Sequence, residues 1–450
     1  MSTIDSIPVA RDGLPFIGHG LSLLKDPLAL LTALPEQGAL CRIRVGARSV
    51  VVVCDPALTW TVLVDDRTFD KGGPFYERSR EIAGDGLGTC PHSRHRRQRR
   101  LCQPAFRPDR LRSYAGIMSR SIENMVNRWH DGQVLDLGSE VSAVTFGVAA
   151  RTMFSASLSD RLIRQVATDL GSIAAGLFRR TVLPPWVNRL PTPGSRRYRT
   201  TTRRVRRIAA SVIAERRADD RDTGDLLSAL LRARDPDETE SGAAFTDEEL
   251  VDQVFTFFLA GAESSAGCVT WALYLLDRHP EVRRRVHAEV DSALTGRTPV
   301  LADLPALPMI NRVVRETLRL YPPAWLVTRQ VSADTELGGV RLPAGTMIAV
   351  SPYIIHRRAD VYDNPHDFVP DRWDDTAAHR RPYLPFGGGA RKCIGEQFGL
   401  VEVALALATI TARWRLSPTG RPITMSLTQL PTPRGLQMRV NRRRVSQLTD

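Results

Sequence analysis

The sequence predicts a mainly helical α+β fold with small β-sheets, built as one large domain across residues 1–450. Three observations predict it. Apolar residues recur with a helical period through most of residues 92–320, the helical core. Short β-rich runs flank that core, at about 38–60 and again at 326–350. Nothing between them has the composition of a linker, so a length prior of ~150 residues per domain gives way to a single unit. With 42% apolar and 25% charged residues, the composition excludes disorder as the main state.

The elements follow in order. Residues 40–45 and 50–54 are apolar runs on either side of Gly46-Ala47-Arg48-Ser49, which predicts a hairpin. Helical spacing marks 92–103, 109–130, 141–155, 160–176, 197–218, 247–278, 280–294 and 309–320. A proline-rich loop at 181–194 and a polar, acidic one at 233–245 interrupt them. Residues 352–392, rich in Pro, Gly, Asp and Arg, predict a long irregular segment, a length that is often functional in compact domains. A helix at about 395–412 and a closing hairpin at 423–441 complete the chain.

The formal net charge is +13, and of the 62 basic residues only Lys25, Lys71 and Lys392 are lysines. That bias fits a G+C-rich genome better than arginine-specific chemistry. A basic balance favours an acidic partner without choosing among nucleic acid, anionic membrane and acidic protein. The six cysteines are Cys41, Cys54, Cys90, Cys102, Cys268 and Cys393. They form no C-x-x-C pair and are too few for a disulfide framework, so a reducing, cytoplasmic compartment is expected. No basic stretch precedes an apolar one at the N-terminus, so no signal peptide is expected. Residues 251–276 are long enough to span a bilayer. Asp252, Gln253, Glu263, Ser264 and Ser265 within them predict a buried core helix instead.

Chemistry concentrates where the irregular segment ends, at Phe386-Gly387-Gly388-Gly389-Ala390-Arg391-Lys392-Cys393-Ile394-Gly395. Three glycines allow close backbone approach to a ligand. A cysteine just before a helix sits where the dipole and free N–H groups stabilise a thiolate. Alone, such a cysteine is inert packing and such a glycine run is a turn; together they make a specific pattern. No Gly-Lys-Ser/Thr follows, which excludes a P-loop.

The segment resembles the heme-binding loop of the cytochrome P-450 superfamily of heme-thiolate monooxygenases, and other hallmarks of that family follow along the chain. Glu316-Thr317-Leu318-Arg319 matches the family's Glu-x-x-Arg, and Phe368-Val369-Pro370-Asp371-Arg372-Trp373 resembles the segment whose arginine completes a structural triad of Glu316, Arg319 and Arg372. Ala260-Gly261-Ala262-Glu263-Ser264-Ser265 resembles the oxygen-activation motif, with Ser264 where the family has threonine. Cleavage of the O–O bond needs protons, and an acid behind a hydroxyl in a helix groove can relay them. The resemblance therefore implies Glu263 and Ser264 as catalytic residues. It implies heme b (iron protoporphyrin IX) with Cys393 as metal ligand, Phe386 in the cofactor loop, and His95, Arg99, Arg329 and Arg391 on the heme propionates. Arg96, Arg97, Arg100 and Lys392 would offer a positive face to an acidic electron donor, or merely a solvated one.

By family position the substrate pocket draws on Phe75, Leu87, Phe178, Phe255, Phe258, Ala262, Trp325, Leu326, Val327 and Leu430, an apolar set that implies an apolar substrate. An aromatic stripe such as Phe255 and Phe258 is also what plain core looks like. Phe69–Phe75, His95–Arg100 and Leu318–Pro323 are similar to actinobacterial terpene oxidases, which implies hydroxylation of a cyclic sesquiterpene or related terpenoid in secondary metabolism. Fatty-acid or polyketide hydroxylation is the alternative within the class. A heme sensor or carrier is the alternative outside it, and would need no Glu263-Ser264 relay. Electrons would come from NAD(P)H through a separate ferredoxin and ferredoxin reductase, and the chain is expected to be a monomer with no membrane span and no nucleic-acid module.

Overall fold

The helix Asp247–Arg278 is the pillar of the fold, and its sequence both starts it and keeps it buried. The Thr246 side chain accepts from the Glu249 N–H, and the Glu249 carboxylate accepts from the Thr246 N–H, a reciprocal cap. Asp247, Glu248 and Glu249 place negative charge at the positive end of the helix dipole. From Ala266 to Leu276 nearly every residue is buried, whichever way it faces. A helix apolar all round must be wrapped by others. The helices Leu137–Phe154, Pro193–Asp219, Pro308–Leu320 and Glu396–Arg413 do so. The structure is a computed structural model that describes residues 2–46, 48–154, 159–182, 188–219, 221–237, 243–374, 381–420, 423–427 and 430–443.

A five-stranded sheet lies beside the helices, in the order Leu40–Val45, Arg48–Val53, Met347–Val350, Val327–Val331, Phe69–Asp70. The two β-rich stretches of the sequence thus meet in one sheet. Arg48–Val53 pairs in parallel with Met347–Val350, and Phe69–Asp70 pairs antiparallel with Val331 and Gln330.

Several elements depart from the sequence expectation. The tail is not one hairpin over 423–441. Thr424–Leu427 pairs with Pro431–Arg434, whereas Gln437–Arg442 pairs with Trp414–Pro418 and with Val134–Asp136. Short helices at Pro27–Thr32, Pro56–Val64 and Pro74–Ala83 were not expected. Each begins on a proline at its first position, and Asp26 and Asp55 cap two of them through the N–H groups of Ala29 and Leu58. These starts are short-range signals with too few turns behind them for periodicity to register. Residues 183–187 and 238–242 of the two expected loops lie outside the described residues.

The irregular segment 352–392 is held by a buried carboxylate. Glu316 and Arg319 are both 0% exposed in side chain and meet in a two-pronged pair, Nε to Oε2 at 2.9 Å and Nη2 to Oε1 at 2.8 Å. Arg372 Nε reaches Oε1 at 3.0 Å, Val369 N reaches the same oxygen at 3.0 Å, and Trp373 Nε1 reaches Oε2 at 2.9 Å. Arg319 donates onward to the carbonyls of His356, Pro365 and Asp367. His356 links the Arg319 carbonyl to the Leu384 N–H, two residues before Phe386. The backbone that lacks a helix or a ladder therefore finds its partners in these side chains.

Removing Glu316 strands two buried guanidinium groups. Glu316→Ala is expected to lower the unfolding free energy by about 3–5 kcal/mol, the scale for breaking a buried ion pair from one side. Chemical denaturation measures it, and a loss within about 0.5 kcal/mol, ordinary for a surface change, would show that the hub is dispensable.

Candidate heme and oxygen site

Two of the three loop glycines need their freedom. Gly387 and Gly389 have φ of 71° and 62°, the left-handed region. A Cβ on Gly388 would stand 2.7 Å from the Trp60 ring, and one on Gly389 would stand 2.5 Å from the Leu63 carbonyl. The loop thus lies flush on the helix Pro56–Val64. Its end is closed by the Cys393 N–H, which donates to the Phe386 carbonyl at 2.9 Å. Of the six cysteines, five are buried and Cys393 is exposed. Yet Cys393 is deep enough that burial pushes its thiol up, with Glu396 acting the same way and the Gly395 N–H, Arg99 and Lys392 pulling it back. A deep residue with an open surface walls an internal space. A cavity of about 110 Å³ adjoins it, bounded also by Phe106, Tyr114 and Phe398.

The helix that follows the loop, Glu396–Arg413, brings the loop to the central pillar. A Cβ on Gly399 would lie 3.9 Å from Ser265 Oγ. Just before that contact the pillar opens. Ala260 is exposed although it stands mid-helix, and a Cβ on Gly261 would meet nothing within 4 Å. Ala262, an expected pocket residue, is 1% exposed, while Ala260 and Gly261 border the open space. Ser264 Oγ donates to the Ala260 carbonyl at 2.8 Å, the resting position of a helix hydroxyl. Burial pushes the neighbouring Glu263 up to about 7. An acid that shares its proton near neutrality therefore stands beside a hydroxyl on the one opened stretch of the pillar.

Cations gather around the cysteine loop and the strand edge next to it. Arg329 is 3% exposed, and its Nε is buried with no partner. Its Nη1 reaches the Thr328 carbonyl at 3.0 Å and Tyr76 Oη at 3.4 Å. His95 is 4% exposed and pushed down to about 3, by burial first and then by the charges of Arg391 and Lys71. Arg99 donates to the Lys392 carbonyl, next to Cys393. Arg391 is already engaged, with Nε on Asp66 at 2.7 Å, Nη2 on Asp70 at 2.8 Å and Nη1 on the Cys90 carbonyl at 2.9 Å. Its Nη1 also reaches Cys90 Sγ at 3.9 Å, so Arg391 is largely committed within the chain. Lys71, which the sequence reading did not single out, lies within the field of both Arg391 and Arg329. A buried cation with an unmet N–H group is costly unless an anion meets it. This donor set suits the two carboxylates of a heme.

The rest of the basic run does not form the positive face considered above. Arg97 is paired with Glu249 at 2.8 Å, and Arg100 with Asp235 at 2.7 Å. Lys392 pairs with Glu396, while Arg96 is exposed. Among the expected pocket residues, Phe255 and Phe258 are buried between helices. They are 0% and 3% exposed, and they wall only a residual void of about 10 Å³ between helices. Phe258 packs on Phe154, and the Arg206 guanidinium lies over Phe255. Leu87 is buried, and Trp325, Leu326, Val327 and Leu430 are half-buried. Phe75 is exposed and packs edge-on against Tyr76. The backbone of Phe178 lies in the helix Asp160–Val182, and its side chain lies outside the described residues.

One buried acid escaped the sequence reading. Glu402, on the helix after the Cys loop, is 2% exposed, with Oε1 unpartnered. Burial pushes it up to about 8, against a hydrogen bond from Ser265. No sequence signal marks it, since a lone Glu in an apolar helix is as often on the surface.

A cysteine loop set against an opened helix, with buried cations beside both, defines a heme-thiolate oxygenase site. A family model described as cytochrome P450 matches residues 8–439. The chain belongs to the cytochrome P450 family, the monooxygenases that bind heme through a cysteine and act on hydrophobic substrates with O₂ and redox partners. It is 42% identical to the pentalenene oxygenase of Streptomyces avermitilis over 439 residues, 96% of this chain and 97% of the relative. It is 42% identical to the cyclooctatin synthase of Streptomyces melanosporofaciens, over 91% of this chain and 90% of that one. The cyclooctat-9-en-7-ol 5-monooxygenase of the same organism is 41% identical, over 91% and 89%. The crystal structure of the cytochrome P450DA heme domain superposes with a TM-score of 0.87 at 28% identity, covering 98% of both chains. No helix among the described residues is long and apolar enough to cross a membrane.

The Glu402 carboxyl has a definite pH signature. It binds its proton up to about 8 in the fold, whereas an ordinary glutamate releases it near 4.5. The folded state therefore holds the extra proton, and stability falls as pH rises across that window. Glu402→Gln mimics the neutral form. Its Tm is expected to gain on the parent progressively from pH 5 to about 8; a constant difference across that range would refute the assignment.

Proposed function

We propose that the protein hydroxylates a cyclic terpene hydrocarbon or related terpenoid in bacterial secondary metabolism, with Cys393 as the heme ligand and Glu263 and Ser264 as the proton relay. The observation that carries the substrate class is the near full-length likeness to relatives named for the oxygenation of pentalenene and of cyclooctat-9-en-7-ol. The half-buried apolar set Trp325, Leu326, Val327 and Leu430 supports an apolar ligand.

Heme held by Cys393 would supply an iron able to activate O₂. The chain supplies position and protons. Cys393 is supported as ligand because it alone of the six cysteines has an open surface and is held by its own loop. Arg99, His95 and Arg329 offer cationic groups to the propionates. Arg391 adds its charge beside them while Asp66 and Asp70 hold it in place. Glu263 can give a proton near neutral pH, and rotation of Ser264 off the Ala260 carbonyl brings that hydroxyl toward the open groove. Serine lacks the methyl that restricts the threonine rotamer, so this hydroxyl turns more freely than the family's usual one. Electrons are proposed to come from a separate ferredoxin and its reductase, in the cytoplasm, to a monomeric chain.

Titration of the ferric protein with cyclic sesquiterpenes and with fatty acids tests the substrate. A low-spin to high-spin conversion with a terpene and none with fatty acids is expected; the reverse would transfer the assignment to lipid hydroxylation. Cys393→Ser should abolish the thiolate signature of the ferrous–carbonyl spectrum. Glu263→Gln should lower product formation by about 10²-fold or more, the general scale for a lost proton donor, and flatten the pH profile near 7. A Glu263→Ala, Ser264→Ala double variant with unchanged product formation would remove the relay.

A further inference from the structure

We propose that the outer face of the helical hairpin Asp160–Val182 and Pro193–Asp219 docks the protein on an anionic lipid bilayer. The inference goes beyond the heme chemistry and the substrate class, and it accounts for a charge that neither uses.

That charge is concentrated in one place. Between Arg161 and Ala214 the sequence holds twelve arginines and a single acid, Asp169. Twelve less one leaves +11 of the chain's +13 in this stretch. The two helices lie side by side and antiparallel: a Cβ on Gly176 would meet the Tyr198 ring, and seven residues earlier Asp169 meets Arg204. Their inner faces turn to the pillar, where Val166, Leu170, Val205 and Ala209 wall one small void with Phe255 and Phe258.

Three of the arginines are answered within the chain, Arg204 by Asp169, Arg206 by Asp252 at 2.8 Å and Arg180 by Glu81 at 3.4 Å. The outward ones are not. Arg196, Arg199, Arg203 and Arg207 recur every three or four residues, so they form one exposed stripe on the second helix. At 1.5 Å per residue it runs for about 16 Å. Arg161, Arg164 and Arg179 stand exposed on the first helix. Among the described residues none of these seven meets a carboxylate.

The shape and composition of the face choose among the anions that could meet it. Two helices side by side are about 20 Å across, too wide for a DNA major groove of about 12 Å. A lasting protein partner needs an apolar or aromatic centre to bury. Among the described residues of the two helices no large apolar side chain is exposed, and the positions between the arginines hold Thr168, Gly171, Ala175 and Thr200. A bilayer of anionic phospholipids is a broad plane of phosphates that requires neither fit, and clustered basic side chains are drawn to it. Leu190, between the two helices, is 44% exposed and offers an apolar contact at the headgroup boundary. A protein so held stands against the phase in which apolar substrates dissolve.

Purified holoprotein is sedimented with vesicles of phosphatidylcholine mixed with phosphatidylglycerol, and with vesicles of phosphatidylcholine alone. Binding to the anionic vesicles at low salt and release at high salt are expected, with no binding to the neutral ones. Arg196→Gln, Arg199→Gln, Arg203→Gln and Arg207→Gln combined should weaken binding about tenfold or more. Lysine at the same four positions should restore it. A control that removes the same charge elsewhere on the surface, Arg11→Gln, Arg48→Gln, Arg128→Gln and Arg284→Gln combined, should bind like the parent. An equal loss in that control would assign the binding to overall charge and overturn the inference. Wild-type protein that ignores the anionic vesicles overturns it too, whether or not DNA or polyglutamate retains the protein. An unchanged ferrous–carbonyl spectrum in each variant shows that a loss of binding is not a loss of fold. No terpene enters the assay, so a failure of the substrate assignment is read separately.

Discussion

The Glu316 carboxylate is the point on which the cysteine loop depends. The described part of residues 352–392 reaches the site with little regular secondary structure. Its backbone has no ladder to satisfy it, so its partners must be side chains. Five N–H donors, two from Arg319 and one each from Arg372, Trp373 and Val369, converge on the two oxygens of Glu316. Arg319 then passes the order outward to three carbonyls, and His356 passes it to Leu384. A buried ion pair of this kind adds little net stability over an apolar core. What it supplies is a unique path for an otherwise irregular chain, and that path ends at Cys393.

Two opposite electrostatic conditions meet around that loop. On the pillar side the acids are neutralised by burial: Glu263 is pushed up to about 7 and Glu402 to about 8, with desolvation the first cause in both. On the sheet side, cations are crowded together and their ammonium and imidazole groups are pressed down. An empty apolar pocket would impose neither. The pattern suits a cofactor that brings its own negative charges to one edge and needs a proton supply over one face. The same reasoning explains why Arg97 and Arg100, in the run that supplies His95 and Arg99, take no part: each meets a carboxylate from a neighbouring helix or loop.

The Cys loop, the Glu-x-x-Arg pair and the acid–hydroxyl step were legible because each is a short motif whose chemistry depends on residue type and local spacing. The long helices were legible because an apolar period sustained over many turns has few other solutions. The burial of the pocket candidates was not legible. Phe255, Phe258 and Ala262 carry the right chemistry on the right helix. Which face of that helix meets the open space is decided by the helices packed around it, and Ala260 and Gly261 hold that position instead. The tail misled for a similar reason, since its last strand pairs with Trp414–Pro418 and Val134–Asp136 rather than with its neighbour in sequence.

The sequence by itself determined the helical class, the glycine-rich cysteine loop, and the local spacing that sets Glu316 with Arg319 and Glu263 beside Ser264. These follow from periodicity and from contacts within a few residues. Only the tertiary structure decided which charges are matched. Arg391 belongs to Asp66 and Asp70, more than three hundred residues away, while Lys71 is brought to Arg329 by strand register. The physical reason is that desolvation and charge pairing depend on what lies across space within a few ångströms, a neighbourhood that spacing along the chain does not encode.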